Sequence, residues 1–422
     1  MAPLPRIRDA ERITLWVPFT PRCAHWNARE IFNWQVVELI RLTTDRPGLV
    51  GYGETLPHYT WGRVSDAALA RVRGADPITL LGDDSLGAGL QMAVYDLVGQ
   101  ALEVPLHRLL GLPQVREWCP ISWWNIDMPA DALAAEAGAA LAAGYTAYKI
   151  KARPWWDVYA QVEAISAVTP PTFQLDLDWN TMLIHAGHAA AVLAALDAYP
   201  RVAIYESPIV QHDVAGQRLL RQKTTRPIAL HFGDPPFPTA MRHDVCDGFV
   251  VSGGVATVMR QAALAAAFEK AFWLQLVGTG LTTAFSAHLG AVLSHARWPA
   301  VSCLNNYSDD LLCEPLTIRH GLVRVPDGPG LGVRIDEDAL GRLRMAPPYA
   351  ATPPRQLMTV RWAHGRTVHY TSMRPQCWDD HFAGNHPVQE RGVTMTLHDD
   401  DGSPEWAERY ARASLRPLVE YA

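Results

Sequence analysis

The chain has 422 residues, 49% of them apolar and 19% charged, with a formal net charge of −6. That length holds a main domain of about 200–250 residues plus a smaller one, and the mild acidity lacks the basic stripe of a nucleic-acid binder, which leaves small molecules as expected partners. Six cysteines without CxxC spacing read as reduced thiols of a cytoplasmic protein rather than a disulfide framework or a zinc site. The N-terminus lacks a signal-peptide pattern and no run approaches 18 apolar residues, so neither leader nor membrane association is expected.

In chain order, residues 12–54 read as an antiparallel meander: "RITLWVPF", then "NWQVVELIRLTTDRPGLVGYGET" with a turn at "DRPG". Residues 63–112 switch to a helical period in "SLGAGLQMAVYDLVGQAL". From Cys119 to about Val325, short apolar strands alternate with alanine-rich helices: "CPISWWN", "AYKIKA", "FQLDLDW", "VAIYESPI", "PIALHF", "GFVVSG", "FWLQLVG" and "VSCLNNY". Eight such strands over about 200 residues predict a (β/α) barrel. An open doubly wound sheet is the alternative, but no GxGxxG follows any strand. The predicted domains are 1–118 (α+β), 119–345 (barrel) and 346–422, a C-terminal extension with a terminal helix in "SPEWAERYARASLRPLVEYA".

Polar residues fall where a barrel carries chemistry. Strand alternation puts Lys149 and Lys151 on one face, ~7 Å apart, and a central parallel strand would turn that face inward; the plainer reading is an edge strand with solvated lysines. In "FQLDLDWN", Asp176 and Asp178 share a face, and "IYESPI" adds Glu206. Several buried carboxylates are costly unless a cation compensates them. Oxygens from successive strand ends suit Mg²⁺, a structural ion-pair network being the alternative.

The succession "GYGE", "AVYDLVGQALEVPLHRLLG", "GYTAYKIKA", "LDLDWN", "IYESPI", "GG" at 253–254 and "VPDGPGLGVRID" resembles the enolase superfamily, in its mandelate racemase and muconate lactonizing enzyme branch. The resemblance implies a modified TIM barrel, (β/α)7β, with an N-terminal α+β capping domain, to which this chain adds its C-terminal extension. It also implies a divalent metal and removal of a proton α to a carboxylate. By motif, Asp178 and Glu206 correspond to metal ligands and Lys151 to the general base. Lys149 is a neighbouring cation that favours the unprotonated amine and stabilises the anion.

Departures from the pattern shape the expected reaction. The fifth strand, "PIALHFGDPPF", puts His231 where an aspartate is usual; His231 or Asp234 would complete the metal site, and an imidazole admits Mn²⁺ or another ion. The sixth strand lacks the lysine, and the seventh the histidine, of the two familiar second bases; the seventh offers Gln275 and Thr279. A one-base lyase is therefore expected, dehydrating a hydroxylated carboxylate such as a sugar acid. Isomerase chemistry (racemase, epimerase or cycloisomerase) and an inactive binding descendant are the alternatives.

Tyr307 is a candidate proton donor or hydroxyl binder. Arg22, His25, Trp26, His58, Tyr59, Trp61, Asn180, Asn305 and Asn306 are candidate substrate contacts. Gly253–Gly254 reads as a tight turn or a phosphate cradle. His185 and His188 read as solvent-facing helix neighbours, and His288 as part of the helix after the seventh strand. The family's habit implies a homo-oligomer, with the extension packing on the capping domain or a neighbouring subunit.

Overall fold

The structure, a computed structural model, describes residues 4–59, 63–346 and 351–421; Trp61 lies outside them. The chain forms two compact units, one of Met1–Thr20, Asn33–Trp123 and Phe249–Ala351, the other of Pro21–Phe32, Trp124–Gly248 and Thr352–Ala422.

In the first unit, strands Ile7–Trp16, Val36–Thr44 and Val50–Thr55 pair antiparallel in that order, with Ile13 opposite Leu39 and Glu38 opposite Thr55. Their apolar face, including Ile7, Ile40 and Leu42, packs with Leu90, Ala93, Val94 and Leu97 of helix Ala88–Leu102. The helix comes so near that a Cβ at Gly53 would stand 2.1 Å from the Gly89 carbonyl oxygen. Only glycine admits that approach, which accounts for "GYGE". The buried Glu54 carboxylate accepts the Thr279 N–H and hydroxyl, each at 2.7 Å, and the Thr282 N–H at 2.8 Å. It thereby caps helix Gly280–Val292.

Asp84 does the same for helix Val255–Ala267, accepting the N–H groups of Ala256 (3.0 Å) and Thr257 (2.8 Å), while Gln91 accepts that of Val255 (2.8 Å). The Gly253–Gly254 turn thus faces an internal carboxylate rather than offering its helix end to a phosphate, and a Cβ at Gly254 would lie 2.3 Å from Asp84 Oδ1. Asp84→Ala is expected to cost about 1–2 kcal/mol, the range of a lost N-cap. An unshifted urea midpoint would contradict this.

The same unit holds strands Ala271–Leu274 and Ala300–Val301, and most of Gly248–Val251 and Trp118–Asn125. Val301 lies parallel opposite Ser122, and Val323 of Leu322–Arg324 antiparallel opposite Cys119. The expected strand "VSCLNNY" stops at Val301. Cys303 adopts φ 61°, which breaks the extended run, and Leu304–Asn306 form a 3-10 turn.

In the second unit, parallel strands Ala147–Lys151, Gln174–Asp178, Val202–Glu206 and Ile228–His231 alternate with helices Val158–Val168, Ala186–Leu196 and Val214–Arg221. Tyr148, Ile150, Leu175, Leu177 and Tyr205, which alternate with the charged strand residues, are buried. The extension folds into an antiparallel sheet in the order Thr394–Asp399, Gln356–Arg361, Arg366–Tyr370, Leu418–Tyr421. Its core residues Met358, Val360, Tyr370, Met373, Trp378 and Met395 cluster with Trp155, Trp156 and Met182, from the segments following strands Ala147–Lys151 and Gln174–Asp178. The terminal helix covers only Pro404–Leu415, because Arg416 precedes Pro417 and takes extended angles; the chain then becomes a strand. Among the described residues no helix is long and apolar enough to cross a membrane.

Candidate active site

Register brings the charged strand residues together: Lys149 is opposite Asp176, and Lys151, Asp178 and Glu206 align across three strands. Lys149, Asp178 and Glu206 have side chains only 1% exposed, whereas that of Lys151 is 15% exposed. The solvated-edge reading of the lysines is thereby excluded. Lys149 Nζ pairs with Glu206 Oε2 and lies 3.4 Å from Asp178 Oδ2. Lys151 Nζ donates to Asp178 Oδ2 (2.5 Å) and Asn180 Oδ1 (2.9 Å), 6.0 Å from the centre of the Trp124 ring. Burial alone would raise the Asp178 pKa, but Lys151, Lys149 and Arg153 together hold it well below the ordinary carboxylate range.

Asp176 behaves oppositely. Burial lifts its pKa from 3.8 to about 7, Lys149 pulling it down and Glu206 pushing it further up. Because the folded value exceeds the unfolded one, the stabilising contribution is complete below about pH 4 and is lost as pH rises through about 7. Asp176→Asn should flatten that part of the stability profile in urea titrations between pH 4 and 8, and an unchanged slope would contradict the assignment.

Arg153, which sequence reasoning missed although it extends the alternation of Lys149 and Lys151, is 1% exposed. Its Nη2 donates to Asn180 Oδ1 at 2.8 Å, the same oxygen that accepts from Lys151. Its Nη1 donates to the carbonyls of Ala152 (3.1 Å) and Asp178 (3.3 Å).

The fifth-strand position departs from an all-carboxylate set. His231 Nε2 is 3.1 Å from Glu206 Oε1, and the His231 backbone N–H donates to Gln211 Oε1 at 2.6 Å. Asp234, half-exposed, accepts from Gln211 Nε2 at 3.3 Å and lies 4.0 Å from His212 Nδ1. Among the described residues no group of three or more histidine, cysteine or acidic side chains could hold a metal ion. With Asp178 and Glu206 engaged by ammonium groups and an imidazole in third place, the donors present do not fit an octahedral, oxygen-rich Mg²⁺ site. His231→Asp should raise Mg²⁺ affinity by about ten-fold or more, by adding the missing hard oxygen donor and its charge. Calorimetric titration showing no gain would contradict that reading.

The remaining candidates sit as follows. Arg22 Nε pairs with Glu136 Oε1 at 2.9 Å, exposed His25 lies 3.8 Å from Asp399, and Trp26 meets the Trp156 ring edge-on at 5.7 Å. In the other unit, His58 is exposed, and Tyr59 packs on Trp34 at 4.5 Å and accepts from Gln275 Nε2 at 3.3 Å. The Tyr307 hydroxyl donates to the Trp34 carbonyl at 3.0 Å, a structural use of a buried phenol. Asn305 and Asn306 are buried beside it, Asn306 Nδ2 donating to the Cys303 carbonyl at 3.2 Å. His288 is buried against His107, and burial depresses its pKa to about 4; His185 and His188 are exposed.

Residues 132–339 match the family model described as Enolase C-terminal domain-like. Muconate cycloisomerase 1-2 of Acinetobacter lwoffii is 28% identical over 297 residues, covering 66% of this chain and 74% of its own. D-gluconate dehydratase of Thermoproteus tenax is 25% identical over 409 residues, covering 84% and 77%. The crystal structure of muconate cycloisomerase from Pseudomonas fluorescens superposes with a TM-score of 0.66 at 22% identity over 81% of this chain and 100% of that one, a likeness that shows the fold. Parallel strands ending in lysines and carboxylates thus define an α/β protein of the modified-barrel class. Residues 132–339 thus carry an enolase C-terminal domain-like match, and the chain is similar to members of the enolase superfamily in the mandelate racemase and muconate lactonizing enzyme branch.

Proposed function

We propose that the chain is a one-base lyase that dehydrates a hydroxylated carboxylate, with Lys151 removing the α-proton and returning it to the departing hydroxyl. One observation carries this reading: of Lys149, Lys151, Asp178 and Glu206, Lys151 alone combines partial exposure with a fixed bearing, while the other three are sealed. Lys151 would take the proton as the free amine and hold it as the ammonium, already oriented by Asp178 and Asn180. Lys149 acts through its charge, opposing the negative charge that develops on the substrate as the C–H bond breaks. No step is assigned to a metal, because the donors present do not form such a site.

The similarity to enzymes named as dehydratase and cycloisomerase supports lyase or isomerase activity in general. Dehydration is preferred because the second-base positions are not filled by lysine or histidine: Thr279 is spent on Glu54 and Gln275 donates to Tyr59. An isomerase of the same superfamily is the second reading, favoured by the match to the Acinetobacter lwoffii cycloisomerase. Proton NMR of the protein with a library of sugar acids, hydroxy acids and N-acyl amino acids separates the two. A 2-keto product supports dehydration, whereas an inverted centre or a lactone establishes isomerisation. Binding without product would favour a non-catalytic descendant.

A further inference from the structure

We infer that the C-terminal extension is a positioning arm of this site: Trp378 seats Arg153, and Arg153, through Asn180, sets where the Lys151 ammonium points. Trp378 is buried, and the Arg153 guanidinium carbon lies 5.0 Å from its ring centre. A second guanidinium, that of Arg374, lies 3.5 Å from the same ring centre. A buried arginine must find its counter-charge and acceptors inside the protein. Arg153 Nε lies 3.9 Å from Asp127 Oδ1, and Asp127 Oδ2 is held by Trp155 Nε1 (2.8 Å), Trp156 Nε1 (2.7 Å) and Arg29 Nη2 (2.9 Å). Arg29 in turn rests on the extension, with Nη1 3.6 Å from Met373 Sδ and 3.4 Å from Met395 Sδ.

This apparatus ends on one atom. Asn180 Oδ1 has two lone pairs, and Arg153 Nη2 at 2.8 Å and Lys151 Nζ at 2.9 Å take both. If Arg153 moves, the amide can turn and the lysine loses one of its two fixed partners. Arg153 is thus a positioning residue, and the extension supplies the apolar and aromatic walls that keep its charge inside. Residues 352–422 thereby gain a role in the site without contributing a reacting group.

The functional meaning rests on Lys151 being the base, but the test needs no substrate, so its failure is distinct from an absence of α-proton chemistry. The full-length protein is acetylated with limiting acetic anhydride, and modification of Lys151 is read by peptide mass spectrometry against exposed Lys223. Trp378→Leu, Arg153→Met and Asn180→Ala should each raise Lys151 acetylation about five-fold, the size of one net hydrogen bond. Lys149, on the same strand, should not change. Trp378→Leu added to Asn180→Ala should give no further rise, since both act on one path. Unchanged Lys151 labelling in the folded variants, a parallel rise at Lys149, or additive effects would overturn the proposal. If Trp378→Leu fails to fold, Arg153→Met in the Asn180→Ala background decides by the same criterion.

Discussion

Alanine in place of Lys151 lowers turnover by about 10²–10⁴-fold, the contribution of a positioned general base, while KM changes far less. The asymmetry follows from what the amine does. It meets the substrate's α-hydrogen as the C–H bond breaks, so its loss is felt in the transition state more than in binding. The fold should tolerate the change, because Lys151, unlike Lys149, is partly exposed, and Asp178 retains Lys149 at 3.4 Å and the Asn180 N–H at 3.1 Å. Steady-state kinetics on the substrate found by the NMR screen checks this. A loss confined to KM would mean that Lys151 binds the substrate carboxylate and something else takes the proton.

Lys149→Met has its largest effect on stability, about 3–5 kcal/mol, the usual cost of stripping the partner from a buried ion pair. Lys149 is sealed between Glu206 and Asp178, each 1% exposed, and methionine fills the space without supplying charge. The stranded Glu206 must then stay ionised without its cation, or take up a proton. Lys149→Met with Glu206→Gln should recover part of the loss, since no unpaired charge remains. Urea denaturation of the two single variants and the double variant gives the coupling; single losses that simply add would show that the pair is not coupled.

Much of this site was legible because strand periodicity is strict. The alternation in "AYKIKA" and "LDLDW" placed Lys149, Lys151, Asp176 and Asp178 on one face, and the structure aligns Lys151, Asp178 and Glu206 in one row. What was hidden depended on partners distant in sequence. The glycine pair at 253–254 read as a tight turn or an anion cradle, because nothing local announced that Asp84 already stands there. Tyr307 looked available until its hydroxyl was seen to donate to Trp34. Arg153 followed the face of the two lysines but stood just past the strand end, where periodicity stops being a guide; its importance appears only with Asn180 and Trp378 in place. The terminal helix was read too long, although the Arg416–Pro417 step marked its end in the sequence.

The central claim, that Lys151 removes a proton α to a carboxylate, is tested most directly by following the substrate α-hydrogen by proton NMR in D₂O, with wild-type protein and Lys151→Ala side by side. Loss of the α-hydrogen signal or deuterated product in the wild type, abolished by the substitution, is the predicted result. Product formed with the α-hydrogen retained, or exchange that persists at an undiminished rate in Lys151→Ala, would contradict it.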